Sequence, residues 1–109
     1  MAYDHDVADD VRARIGDHPG LTEREMFGGI AFMIGGNMAV GVINDELMVR
    51  VGKEAHDDAV AHPGARIFDF SARPMRGWIA VAPEGFAGDA DIQRWVDQGV
   101  SYAESLPAK

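Results

Sequence analysis

The stretch from Ile30 to Val51, IAFMIGGNMAVGVINDELMVRV, decides the fold class of this chain. Large apolar residues alternate with a second set of residues along three short segments. Two turn signals, Gly35-Gly36-Asn37 and Asn44-Asp45-Glu46, separate the segments. A period of two is typical of β-strands, and short turns between strands indicate antiparallel neighbours. The stretch therefore predicts a three-stranded antiparallel meander.

The alternation assigns the strand residues to two sheet faces. The frame with the larger apolar residues should face the core; it contains Ile30, Phe32, Ile34, Met38, Val40, Val42, Leu47, Val49 and Val51. The opposite frame contains Ala31, Met33, Ala39, Gly41, Ile43, Met48 and Arg50. Only Arg50 is charged in this second frame, whereas a solvent-facing side of an antiparallel sheet is normally polar. We therefore predict a protein interface, with a partner or a second copy, at Ala31, Met33, Ala39, Gly41, Ile43 and Met48. A frame slipped by one residue, or a terminal segment folded over this face, is the alternative.

Further elements are predicted on both sides of the meander. Helices are expected at Asp4–Ile15, at Lys53–His62 and from an N-cap at Asp89 to about Ser105, and strands at Arg66–Phe70 and Gly77–Ala82. The order α-β-β-β-α-β-β-α predicts a two-layer α+β domain. We expect a mostly antiparallel five-stranded sheet with the helices on one face. Its core should bury together Phe32, Val40, Val49, Val81 and Trp95.

Composition narrows the functional classes. The chain has 109 residues, which fits one domain, and a formal net charge of −8, which argues against sequence-independent binding to nucleic acid. It has no cysteine, so disulfides, thiol catalysis and cysteine zinc sites are excluded. We expect a cytoplasmic protein without a membrane segment, because no apolar run is long enough and the N-terminus is acidic and polar.

Residues with catalytic or metal-binding chemistry are sparse. His5, His18, His56 and His62 lie in polar, loop-like or exposed contexts, without the short convergent spacing of a metal site. The serines lack a nucleophile-elbow context, and the adjacent carboxylates fit solvated helix faces. We therefore expect no metal, no cofactor and no enzymatic activity, with a small-ligand binder or an enzyme as the alternative.

One segment brings basic and aromatic side chains together. Arg73 and Arg76 flank a hairpin beside Trp78, and arginine both pairs with planar anions and stacks on rings. These residues are the candidate anion contact and carry the alternative of a nucleic-acid-associated regulator. The interpretation we favour is that the arginines pair with the chain's own abundant acids, so we do not expect direct binding to nucleic acid.

A glycine-containing motif, Met26-Phe27-Gly28-Gly29, precedes the first meander strand. No helix and no Lys-Ser/Thr pair follows it, so it is not a phosphate loop. We interpret it as mainly structural, with glycines that supply positive φ or close packing.

This motif and several later landmarks resemble the N-terminal domain of the TfoX/Sxy family of bacterial competence regulators. The matching landmarks, in order, are Met26-Phe27-Gly28-Gly29, Phe32, Gly35-Gly36, Met38-Ala39, Leu47–Arg50, Phe70, Pro74-Met75, Trp78–Pro83 and Trp95. They span roughly residues 20 to 105. The resemblance implies a secretion-chaperone-like α+β fold. We expect a single, stand-alone TfoX N-terminal-like domain over residues 1–109, whereas full-length regulators of this family carry a second domain. It also implies a part in transcriptional regulation of competence, together with another regulator, and it supplies no catalytic residue. We therefore expect a non-enzymatic regulatory module that acts through protein contacts, with a homodimer as the simplest partner.

Overall fold

A computed structural model describes residues 3–26, 28–70 and 73–108, and of Phe70 and Arg73 the backbone alone. The elements follow in the order α1 (His5–Ile15), β1 (Leu21–Met26), β2 (Gly29–Ile34), β3 (Asn37–Ile43), β4 (Glu46–Arg50), α2 (His56–Val60), β5 (Ala65–Phe70), β6 (Arg73–Val81), a 3-10 turn (Pro83–Gly85) and α3 (Asp89–Glu104).

The strands form one open antiparallel sheet in the order β1-β2-β3-β4-β6-β5. The predicted α+β class, the meander and the element order are confirmed, but the sheet has six strands rather than five. The added strand is β1, which pairs along its whole length with β2. Its central residues, Thr22 to Glu25, are all exposed, as suits an edge strand whose charges discourage further pairing.

The helices cover one face of the sheet, and three of their ends differ from expectation: the start of α3 and both ends of α2. Asp4 caps α1, because its Oδ1 accepts hydrogen bonds from the backbone N–H groups of Asp6 and Val7. Gly88, not Asp89, is the N-cap of α3, and Asp89 begins the first turn. There its carboxylate interacts favourably with the helix dipole. Helix α2 is shorter than predicted because only His56–Val60 is helical.

The main core lies between the sheet and the helices. Trp95 of α3 is fully buried, and its indole N–H donates to the carbonyl of Gly85 at 3.0 Å. The predicted cluster of Phe32, Val40, Val49, Val81 and Trp95 is confirmed, because all five side chains belong to this core. Since helices occupy this side alone, the opposite side of the sheet is left without a layer of secondary structure in the described part of the chain.

Candidate functional site: the methionine-lined outer face

The sheet face turned away from the helices, here called the outer face, carries a second apolar cluster. Ala31, Met38 and Met48 are its buried members. Partly buried apolar residues pack around them: Met26, Met33, Ile43, Phe68 and Trp78. The predicted interface residues Ala31, Met33, Ile43 and Met48 therefore do lie together on one apolar surface.

Because β3 contains a bulge, one residue of the predicted interface, Ala39, lies on the other face of the sheet. Phe32 pairs with Val40, but the next pair is Met33 with Met38, so Ala39 is an extra residue between them. An extra residue reverses the faces of the side chains beyond it. Ala39 consequently packs into the main core and Met38 onto the outer face, the opposite of the predicted frame.

A partly open groove of about 300 Å³ runs over this cluster. Its lining combines methionine, aromatic and one arginine side chain with a turn glycine: Met26, Met33, Met38, Met48, Met75, Phe68, Trp78, Arg50 and Gly36. Five of the six methionines of the chain thus converge on one surface. Methionine is flexible and polarizable, and it is common on surfaces that adapt to a partner.

Gly41 makes room for the floor of the groove. A Cβ on Gly41 would approach the Cε methyl groups of Met48 and Met38 at 2.6 and 2.7 Å, so both methyl groups pack over this glycine. Met48 and Met38 are 3% and 5% exposed. They therefore form the floor, whereas Met33 is partly exposed and available for contact with a partner.

Arg50 lies at one end of the groove between two aromatic rings. Its guanidinium carbon is 5.0 Å from the ring centroid of Trp78 and 5.5 Å from that of Tyr102. Within residues 3–26, 28–70 and 73–108, no carboxylate lies within ion-pair distance of this guanidinium. Sequence reasoning placed Arg50 on this face but did not identify it as a site residue, because the contact with Tyr102 of α3 depends on the tertiary fold.

Most other arginines are already paired with acids. Arg66, also on the outer face, forms two hydrogen bonds of 2.8 Å with Glu46, and they hold the pKa of Glu46 below its ordinary value. Arg12 likewise donates to Glu23 and lowers the pKa of that carboxyl group. The candidate anion contact shows the same pattern, since Arg76 pairs with Asp57 at 3.2 Å. The side chain of Arg73 lies outside the described atoms, and Trp78 contacts Arg50 instead.

His56 is buried, contrary to the expectation of an exposed histidine. It is 4% exposed, and its Nδ1 accepts a hydrogen bond of 2.9 Å from the backbone N–H of Gly77. This contact ties α2 to the middle of the long β6 strand. A structural role accounts for the residue, and the pattern of polar neighbours around it in the sequence gave no sign of its burial.

The Met26-Phe27-Gly28-Gly29 motif joins β1 to β2, and Phe27 lies outside the described residues. Gly28 has φ 75°, which side chains disfavour. A Cβ on Gly29 would collide with the carbonyl oxygen of Val42. Both glycines are thus explained by backbone geometry, and Met26 contributes to the groove.

Two classes of site are absent from the described part of the chain. No group of three or more histidine, aspartate or glutamate side chains there converges as metal ligands would. No helix among those residues combines the length and apolarity needed to cross a bilayer.

The fold and the outer face define a small α+β domain in which the described helices cover one apolar face of the sheet and not the other. The model of the TfoX N-terminal domain matches residues 13–103, and the chain belongs to this family. It is not a known enzyme family. No curated protein and no solved structure shows a match to the chain.

Proposed function

We propose that this chain is a non-enzymatic regulatory module that recognises a protein partner through the methionine-lined outer face. The observation that carries the proposal is the groove itself, an apolar cluster on the sheet side that no described helix covers. A contiguous apolar surface on a protein with net charge −8 is typical of an interaction site. Membership of the TfoX N-terminal domain family supports a competence-related regulatory role.

The process we assign to the module is transcriptional control of competence, exerted through another regulator rather than by direct contact with DNA. Pairing of Arg76 with Asp57 and of Arg66 with Glu46 supports this choice, because both guanidinium groups are occupied within the chain. A DNA-binding surface requires unpaired cations that can neutralise phosphates.

Affinity capture from the native lysate with matched variants tests the proposal. Met33→Glu places a charge on the partly exposed rim of the groove without disturbing its buried floor. Ala13→Glu, at an exposed position of α1, is the matched control because it adds the same charge on the helical side. We expect mass spectrometry to find one protein that the native chain and Ala13→Glu capture and that Met33→Glu loses.

Two outcomes would contradict the proposal. If the same proteins are recovered with all three baits, the outer face is not the contact surface. If nuclease treatment of the lysate removes every captured species, the chain associates with nucleic acid instead. Circular dichroism of each bait shows whether a loss reflects unfolding rather than a lost contact.

A further inference from the structure

Two arginines on the outer face have different surroundings. Arg66 of β5 sits near one end of the face, where Glu46 satisfies it with a pair of hydrogen bonds. Arg50 of β4 lines the groove, and its guanidinium group contacts two aromatic rings and has no hydrogen bond or ion pair with the described residues. Ring contacts leave the N–H donors of a guanidinium group unused, since a π-face accepts no conventional hydrogen bond from them.

The aromatic contacts also orient the group. With Trp78 on one side and Tyr102 on another, the side chain of Arg50 loses less freedom when it binds an anion than a free surface arginine would. A planar guanidinium group held in this way is suited to bidentate pairing with a carboxylate. The groove therefore combines an apolar floor with an oriented cation at one end.

We propose that the groove binds a partner segment in which an apolar side chain stands next to a carboxylate. The apolar side chain occupies the space over Met38 and Met48, and the carboxylate pairs with Arg50. This inference rests on the proposed function and specifies the chemistry of the partner. The carboxylate is the side chain of an aspartate or glutamate of the partner segment.

The shape of the groove favours a protein segment over a small amphiphilic acid. Its volume of about 300 Å³ is at the low end for sites that enclose small molecules. It is also partly open, so a small ligand would leave much of its surface in water. A protein segment avoids this loss because the remainder of the partner covers the opening.

Selection from random peptides displayed on phage tests this chemistry directly. The immobilised native chain should enrich peptides that carry a large apolar residue adjacent to Asp or Glu. Arg50→Glu should lose these peptides and enrich Lys or Arg at the same position. A synthetic peptide of the enriched sequence should bind Arg50→Gln about tenfold or more weakly than native, the loss expected for one charge-assisted hydrogen-bonded pair.

Arg66→Gln is the matched control, because it removes an arginine from the same face that is already paired. It should bind the peptide as the native chain does. Urea unfolding of each variant distinguishes a lost contact from a damaged fold, and raised salt should weaken native binding more than Arg50→Gln binding.

Three results would overturn the inference, and they differ from failure of the proposed function. One such result is enrichment of apolar peptides that lack an acidic residue and bind Arg50→Gln as tightly as the native chain. The groove would then still be a docking site, but Arg50 would have no part in recognition. Absence of any enriched peptide, together with capture of a partner that depends on Met33, shows that the partner uses this face by another chemistry. Binding of dodecanoate, without any peptide, assigns the groove to small amphiphilic acids.

Discussion

The two faces of the β-sheet are both apolar, but different side chains build them. The inner face presents β-branched and aromatic residues such as Val40 and Phe32 to the helices, and its members are almost completely buried. The outer face uses methionines around Gly41, with partly exposed members such as Met33. Branched side chains have few rotamers and fix one packing arrangement, whereas methionine adjusts to irregular surfaces.

A pair of glycines shows the same difference on the two sides of β3. A Cβ on Gly99 of α3 would collide with the backbone carbonyl of Ala39 on the inner face. A Cβ on Gly41 would meet the flexible ends of Met48 and Met38 on the outer face at 2.6 and 2.7 Å, and the backbone carbonyl oxygen of Ile30 only at 3.0 Å. The inner face is thus a rigid contact between a helix and a strand, while the outer face is a contact that can rearrange.

The largest effect should come from the inner face at Trp95. Trp95→Ala removes a fully buried indole and its hydrogen bond to Gly85. We expect the free energy of unfolding in urea to fall by about 3–5 kcal/mol, as for other large-to-small changes of buried aromatic residues. A loss below about 1 kcal/mol would show that the main core does not depend on this side chain.

Alanine substitution of Gly99 and Gly41 should show most clearly that the two faces differ in how well they accommodate an added methyl group. Gly99→Ala forces α3 away from β3, and we expect a net loss of about 1–2 kcal/mol, because overpacking exceeds the gain in helix propensity. Gly41→Ala should cost less than about 1 kcal/mol, since methionine methyl groups can move aside. Parallel urea titrations measure both values. Equal losses, or a larger loss at Gly41, would contradict the claim that the outer face is the more adaptable one.

The ion pair at the edge of the outer face should give a smaller, pH-dependent effect. Hydrogen bonds from Arg66 lower the pKa of Glu46, so the pair stabilises the fold above the unfolded pKa of glutamate, about 4.3. This stabilisation is lost as the pH falls through the lower pKa of the folded state. Glu46→Gln should therefore be less stable than native at pH 7, by up to about 1 kcal/mol, and equally stable at low pH. Glu25→Gln, at an exposed position of β1, is the control and should follow the native profile. A deficit of Glu46→Gln that stays constant with pH would exclude the carboxylate as its cause.

The smallest effect is expected at the β5–β6 hairpin. Reversing the charges of Arg73 and Arg76 together should change the free energy of unfolding by no more than about 0.5 kcal/mol, because the ion pair of Arg76 with Asp57 is exposed and such pairs contribute little. An electrophoretic mobility assay with duplex DNA at physiological salt should detect no binding by the native chain. Tight, salt-sensitive binding that disappears in the double variant would move the functional surface from the outer face to this hairpin.

The sequence predicts the meander and the helix-covered core well, because both depend on local periodicity. It misses β1, whose residues Thr22 to Glu25 are polar throughout and show no alternation. An edge strand such as β1 is held by hydrogen bonds to its neighbouring strand rather than by a buried face. The alternation of polar and apolar residues along the segment does not reveal such hydrogen bonds. The family resemblance covers this segment without revealing the strand.

The outer face is predictable in character but not in its details. Alternation placed Ala31, Met33 and Met48 on one apolar surface. The bulge places Met38 on the outer face and Ala39 in the core, and it arises from the pairing of β3 with Phe32 and Met33 of β2. The alternation of residues within β3 alone does not contain this information. Met75 and Phe68 join the groove from strands that are distant in the sequence. The setting of Arg50 likewise depends on tertiary contacts.

Photocrosslinking in cells is the measurement that tests the central claim most directly. A photoreactive amino acid at position 33 reports contacts of the outer face, and the same amino acid at position 13 reports contacts of the helical side. Position 33 should form a discrete crosslink to a protein on irradiation, and position 13 should form none or only a weak background. A discrete crosslink from position 13 with none from position 33 would show that the helix-covered side, not the methionine-lined outer face, is where this domain meets its partner.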